Sequence, residues 1–554
     1  MVYMYLFPSI PEEAEGGDYI SPDRGSVVCD STAVYRPRNA EESILYSVVA
    51  ENLETFLSRQ WERDRPVPRF VERELRLFLN CGIPALGFLR VRCDTCGEDR
   101  IVPFSCKGRG FCNSCGGRRM ADTAAHLVDR VFPEVPVRQW VLSLPFSLRY
   151  RLAYDARLVS EVLRIFVQAV FRSLGGRARE HAGILRSQCG AVTFVQRFGD
   201  ALNLNVHFHM LVLDGVYGED DGQTLRFHRL APPSDAEVAQ VAARVARRIA
   251  RLLHRRGLEP QANAEEADSL NRDEPLLAAL YGASVSGRTA TGPRAGMRVA
   301  TMGDQIDVET PEVLAGPRCA SVSGVNVHAN VSVAARDRMG LERLCRYAGR
   351  PPVAIERLSL LPDGRLLYRL KRRWRNGTTH VIFEPLELIE KLAALVPAPR
   401  FNLVRYHGVF APAAKWRADI VPSDPPSDSL SHRGCRRKAG TGDLLPEAGC
   451  LVRQRARSRP RNYSWAELLH RVFSIDVLEC ASCGGRLRIV THSPQMATGR
   501  SSRVQSRNRV SNDHGICIHK NLTNHKPQYL LAFAHRRVGC SVAQPSEKTI
   551  EVLS

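Results

Sequence analysis

Cysteines spaced Cys93-x2-Cys96 and, fifteen residues later, Cys112-x2-Cys115 have the pattern of two metal knuckles. Each knuckle would give a pair of thiolates to one tetrahedral zinc ion, and Gly97, Gly116 and Gly117 would let the chain turn closely about it. A site closed by four sulfurs is structural rather than catalytic. The bland alternative is four unligated thiols. Cys106 lies between the pairs but belongs to no CxxC, so it is left out of the set.

A second pattern sits in LNLNVHFHMLVLDGVY, residues 202–217. On a strand, Leu202, Leu204, Val206, Phe208, Met210 and Val212 share one face, whereas Asn203, Asn205, His207 and His209 share the other. Imidazoles two residues apart can converge on one divalent ion of the Mn²⁺ class, leaving positions open for phosphate oxygens and water. A pair of hydrogen-bonded histidines in a mixed interior would read the same. In SGVNVHANVSV the facing repeats: Asn326, His328, Asn330 and Ser332 oppose a row of valines and Ala329. If the two strands are neighbours, His328 supplies a third ligand. Gln196 in TFVQRF is the weaker alternative, because Val192 and Phe194 share its face.

Immediately after that strand, RDRMGLERLCRYAGRPPV places Leu341, Leu344, Cys345 and Ala348 on a helical stripe. At about 100° per residue, Tyr347 lies beside the stripe and near Arg336, Arg343 and Arg350. Guanidiniums favour phenolate over phenol and grip phosphodiesters, as a tyrosine nucleophile attacking DNA would require. The alternative is a half-exposed tyrosine on a basic helix. Pro351 and Pro352 end the helix.

The elements that must hold these residues can be read around them. Residues 40–63 and 67–82 carry apolar side chains at helical spacing, so two helices precede the cysteines. VRQWVLSLPF, AVTFVQRF, the histidine stretch and GVNVHANVSV read as strands, and AEVAQVAARVARRIARLLHRRG as a long amphipathic helix. LSLLPDGRLLYRLKR reads as a hairpin about Asp-Gly, and THVIFEPLELIEKLAALV as a strand followed by a helix. Residues 1–35 form a poorly ordered lead-in, 36–125 a helical and four-cysteine zinc-binding domain, and 126–415 the domain with the histidines and the tyrosine. A basic linker at 416–465, a CxxC segment at 466–495 and an atypical polar tail at 496–554 follow.

The 554 residues exceed one ordinary core. A net charge of +20 and a pI near 9.6 point to a polyanionic partner, nucleic acid first and an anionic membrane surface second. No run of about 18 apolar residues suggests a membrane span. Sixteen cysteines without a secretory segment fit thiols and metal sites better than disulfides.

The quoted residues resemble a family. His207-Phe208-His209 matches the His-apolar-His (HUH) motif of endonucleases that nick single-stranded DNA through a tyrosine. FSCKGRGFCNSCGGRRMADTAAHLVDRV, VRQWVLSLPFSLRYRLAYD, the histidine stretch, LERLCRYAGRPPV and GTTHVIFEPLELIEKLAALVPAPRFNLVRYHGVFAP are similar, in order, to rolling-circle transposases of bacterial insertion sequences, the group that includes the common-region elements. The resemblance covers roughly residues 35–415 and implies an α+β fold: an HUH antiparallel-sheet palm with packed helices, plus an N-terminal zinc ribbon. It implies that His207 and His209, with His328 or Gln196, hold catalytic Mg²⁺ or Mn²⁺, and that the four cysteines hold structural zinc. Tyr347 would attack the scissile phosphate, leaving a 5′-phosphotyrosine and a free 3′-hydroxyl, with Arg343, Arg346 and Arg350 on the DNA. The expected partner is DNA, above all single-stranded element ends, in the bacterial cytoplasm at the nucleoid, with no membrane involved and no oligomeric state assigned. Some members carry two tyrosines four residues apart. Here Arg343 stands at the first position, so the single-tyrosine type is expected.

After Cys480-x2-Cys483 the tail departs from the family, and the expectation is that these two cysteines hold no metal unless Cys517, His519 or another subunit completes the set. Two other readings stand beside the transposase: a zinc-ribbon DNA-binding protein without catalysis, and an HUH replication initiator or relaxase.

Overall fold

A computed structural model describes residues 39–220, 224–258, 269–303, 316–422 and 463–492. The lead-in, most of the basic linker and the polar tail lie outside the described residues. The chain mixes helices with antiparallel sheets, and every strand pairing is antiparallel. No helix among the described residues is long and apolar enough to cross a membrane.

The largest sheet has seven strands, in the order Cys319–Val322, Val325–His328, Val137–Ser143, Leu204–Leu213, Gly190–Phe198 and Val404–Gly408, with Ser332–Val333 also paired to Val137–Ser143. Leu204–Leu213 is the histidine strand. Its Leu204, Val206, Phe208, Met210 and Val212 are all buried, so the apolar half of the alternation drives this strand into the core. The two polar-faced strands are not neighbours. Val137–Ser143 lies between them, because alternation sets which side of a sheet a strand buries and says nothing of its place in the strand order.

Arg138 shows why that middle strand is fixed. Only 3% exposed, its guanidinium donates to both carboxylate oxygens of Asp214 (3.0 and 2.8 Å) and to the carbonyl of Ala329 (3.0 Å). One side chain thus ties the middle strand to the residue after the histidine strand and to the residue after His328. A buried, bidentate pair whose remaining donor is also satisfied avoids the cost of an uncompensated charge.

Helices cover the sheet. Asp235–Arg255 starts with a capping box, Ser234 and Glu237, and buries Val238, Val241, Ala242, Val245 and Ile249 against the strands Cys319–Val322 and Val325–His328. The tyrosine helix, Arg338–Gly349, is capped by Asp337, which accepts from the Gly340 N–H, and buries the expected stripe of Leu341, Leu344, Cys345 and Ala348. Arg350 at its end is extended (ψ 151), as the residue before a proline prefers. The helix Asn113–Arg130 packs along it and runs across residue 125, so Cys112, Cys115 and the large sheet share one hydrophobic core.

The two N-terminal helices are Ile44–Trp61 and Arg69–Leu79. The predicted Asp-Gly hairpin is present as Leu358–Leu360 and Leu366–Arg369, extended by Thr378–Phe383 and Ala300–Gly303 into a four-stranded sheet, and the helix Pro385–Leu395 follows as expected. A third sheet joins distant parts of the chain: Phe88–Cys93 pairs with Asp99–Pro103 on one side and with Leu487–His492 on the other.

Asp214→Ala should cost about 3–5 kcal/mol by stranding the Arg138 charge, seen as a lower midpoint in denaturant; an unchanged midpoint would show that the pair contributes nothing. Burial, with a smaller push from Arg405, holds the His407 imidazole down at about 4, against about 6.5 in an unfolded chain. The unfolded state therefore binds the proton first. The stability that neutral His407 provides is present above pH about 6.5 and lost as pH falls toward 4. Thermal melts across that window should slope less in His407→Gln than in the wild type.

Candidate functional site

Register brings the polar residues together on one side of the large sheet. His207 stands opposite Gln196, His209 opposite Phe194 and Val141, and Val141 in turn opposite His328. Cross-strand partners share a face, so Gln139, Ser143, Gln196, His207, His209, Asn326 and His328 all belong to this side. Its middle is occupied by the two adjacent imidazoles, whose ring centroids are 4.9 Å apart.

Each imidazole has a partner at Nδ1. The His207 Nδ1–H donates to the backbone carbonyl of Asn205 (2.9 Å), which leaves Nε2 with the free lone pair. The Gln139 side-chain amide lies 2.8 Å from His209 Nδ1. The amide nitrogen faces the ring; turned over, the amide oxygen would accept the Nδ1–H and leave Nε2 free. Burial keeps both rings neutral: His207 is held down at about 4, mainly by desolvation and further by Arg350 and Arg149, and His209 lies well below the usual histidine range. A neutral imidazole with a free ring nitrogen is a metal-ligating group.

Gln196, 4% exposed, links this face to the tyrosine helix. Its Nε2 donates to the carbonyls of Ala348 (2.8 Å) and Tyr347 (3.3 Å), while Oε1 is buried with no hydrogen-bond partner. Because the nitrogen is held by the helix, the oxygen is the group left over for a ligand. His328 sits two strands from His209, roughly 10 Å between Cα atoms at ordinary strand spacing. Its strand is not a neighbour of the histidine strand, so the adjacency on which it was expected as third ligand is not met, although it shares the face and its charge acts on His209.

Tyr347 lies over His209, with ring centroids 5.7 Å apart and planes at 82°. The Arg350 guanidinium is 4.7 Å from the Tyr347 ring centre and Lys371 Nζ 5.0 Å from it, so two cations flank the phenol. Arg343 is exposed. Arg346 turns elsewhere: it is half-buried, and the charges acting on it are Glu342, Arg343 and Arg471. Sequence reasoning passed over two of these residues. The alternation Gln139, Val141, Ser143 would have revealed Gln139, whereas nothing around Lys371 marks it locally.

The cysteines are divided differently from their spacing. Cys112 and Cys115 join Cys81 and Cys106, with sulfurs 3.4 Å (Cys106–Cys115), 3.6 Å (Cys81–Cys112) and 3.8 Å (Cys81–Cys115) apart. Cys93 and Cys96 join Cys480 and Cys483. The single site Cys93, Cys96, Cys112 and Cys115 is therefore corrected, as are the omission of Cys106 and the incompleteness of Cys480 and Cys483. Two ligand pairs read along the chain need not share an ion, because the fold chooses which knuckles meet. Four sulfurs about 2.3 Å from a zinc ion lie roughly 3.8 Å from one another, so the first tetrad has the spacing of a zinc site. Its sulfurs also accept backbone N–H groups, from Lys107 to Cys115 (3.1 Å) and from Gly108 to Cys106 (3.3 Å), as thiolates do.

Comparison with known families is consistent with both parts. Residues 49–144 match the family described as "Transposase zinc-binding domain", which includes the whole first tetrad, and residues 190–417 match the family described as "Putative transposase", which includes His207, His209 and Tyr347. No curated protein and no solved structure matches the chain. The cysteine-bearing module is thus similar to one transposase family and the helix-covered antiparallel sheet to another.

Proposed function

We propose that the protein is a metal-dependent tyrosine DNA strand transferase of the HUH kind, acting on single-stranded DNA in rolling-circle transposition. One observation carries the reading: Tyr347 packs edge-on against His209, which neighbours His207, both rings neutral, and Arg350 and Lys371 lie near the tyrosine ring. A protein that only held DNA would gain nothing from burying that pair beside a tyrosine.

His207 and His209 would hold the divalent ion through Nε2, with Gln196 Oε1, opposite His207 and without a partner, as third ligand. Such an ion supplies positive charge against the scissile phosphate. Arg350 and Lys371 stabilise the charge that builds on the phosphate oxygens. The Tyr347 oxygen attacks phosphorus, the bond to the 3′-oxygen breaks, and that oxygen takes a proton and leaves as the 3′-hydroxyl. The phosphate stays on the tyrosine through its 5′ side. The phosphodiester is conserved, so a later attack by a 3′-hydroxyl on the phosphotyrosine rejoins DNA without ATP. Gln196, by gripping the carbonyls of Tyr347 and Ala348, fixes the distance between nucleophile and ligands.

Single-stranded oligonucleotides spanning the element ends, incubated with the protein and Mn²⁺ or Mg²⁺, should yield a covalent protein–DNA band in denaturing electrophoresis. Tyr347→Phe should abolish it, and His207→Ala should lower its rate by about two orders of magnitude, the effect of several kcal/mol of lost charge stabilisation; an undiminished band from Tyr347→Phe would defeat the reading. Gln139→Leu should weaken Mn²⁺ binding about 10- to 100-fold in a calorimetric titration, since it removes the group that orients His209.

A further inference from the structure

We propose that Cys93, Cys96, Cys480 and Cys483 form a second structural zinc site, a clasp that fastens the far end of the chain to the N-terminal ribbon. Cys480 and Cys483 lie outside both matched regions, so neither match accounts for them.

The two knuckles are built alike. In Cys93-Asp94-Thr95-Cys96-Gly97 the Gly97 N–H donates to the Cys93 carbonyl (3.1 Å), and the Cys93 N–H donates to the carbonyl of Glu98 (2.9 Å). In Cys480-Ala481-Ser482-Cys483-Gly484 the Gly484 N–H donates to the Cys480 carbonyl (2.8 Å), and the Cys480 N–H donates to the carbonyl of Gly485 (2.8 Å). Both glycines adopt positive φ, 77° and 70°, the conformation that turns a chain back after its second ligand. These are two copies of one turn, facing each other across the sulfurs.

The sulfurs meet where a tetrahedral ion would need them. All four lie within 4.8 Å of one another, with Cys93–Cys483 at 3.5 Å and Cys96–Cys480 at 3.6 Å. All four are free thiols. The Gly485 N–H donates to Cys483 Sγ (3.4 Å), and Glu98, whose Oε2 is 3.4 Å from Cys480 Sγ, is neutralised by Arg100 at 2.8 Å. Four thiolates without a histidine or carboxylate select zinc as a closed structural site.

Packing supplies the independent reason. Val91, Cys93, Cys480 and Leu487, with Val102 against them, are a small apolar cluster separate from the main core. So few side chains are too small a core to hold the strand Leu487–His492 on the ribbon, and small modules of this size depend on a metal for their fold. The clasp thereby closes the chain between residues 96 and 480 into a loop and keeps the C-terminal segment at the body of the protein.

The test is metal content of the full-length, reduced protein by elemental analysis, together with the zinc-to-protein ratio of two variants. The wild type should carry two zinc ions per chain, the double variant Cys480→Ser/Cys483→Ser one, and Cys483→His two, because histidine replaces a thiolate in such sites. One zinc in the wild type, two in the double variant, or iron in place of zinc would overturn the clasp. Should the double variant fail to fold, cobalt titration of the metal-free wild type decides: thiolate-to-cobalt absorption saturating at two equivalents supports the clasp, and at one refutes it.

Discussion

Two imidazoles buried side by side can stay only if neither takes up a second proton, and much of the surrounding structure follows from that requirement. An uncharged ring has one donor and one acceptor, so each must give its N–H to a fixed acceptor or be left unsatisfied in a dry interior. The Asn205 carbonyl accepts from His207, and the Gln139 amide pairs with His209 Nδ1 from a second strand. The order of the sheet is therefore part of the site: moving Val137–Ser143 elsewhere would take Gln139 away from His209.

Charge is kept apart by layer. On the apolar side of the same middle strand, Arg138 is locked to Asp214 and a carbonyl, and its charge is spent within the fold. On the histidine side, Arg350 and Lys371 lie at the tyrosine, and positive charge there gives an electrostatic preference for phosphate. Gln196 joins the two kinds of element: its nitrogen belongs to the helix and its oxygen to the histidine face.

Much of this was legible in the sequence where the signal is local. Period-two alternation exposed the polar facing of the histidine strand and of Val325–His328, and the helical stripe placed Tyr347 on a helix whose buried residues are those expected. What alternation does not carry is which strand lies beside which, and the expected adjacency of the His328 strand to the histidine strand fails for that reason. The cysteines make the same point. CxxC spacing identifies a knuckle because two ligands and a tight turn are local, but the partner of a knuckle is chosen by tertiary folding. Cys93 and Cys96 find theirs nearly four hundred residues away, and Cys81 and Cys106 gave no local sign because each contributes alone. Gln196 was visible as a candidate, but that its amide would be shared between helix and site depended on the packing of Arg338–Gly349 against its strand.

The helix Trp465–Phe473 docks on Asn113–Arg130, and its Arg471 reaches Asp129 (2.5 and 2.9 Å) and Glu342 (2.8 Å), the latter on the tyrosine helix. A single cation thus stands between two carboxylates that belong to the zinc-bearing helix and to the helix of the nucleophile. A copy of the gene interrupted upstream of codon 465 would encode every residue of the histidine face and yet leave Asp129 and Glu342 without Arg471 between them. Loss of that helix would then be felt as mutual repulsion between the two carboxylates at the seam behind Tyr347.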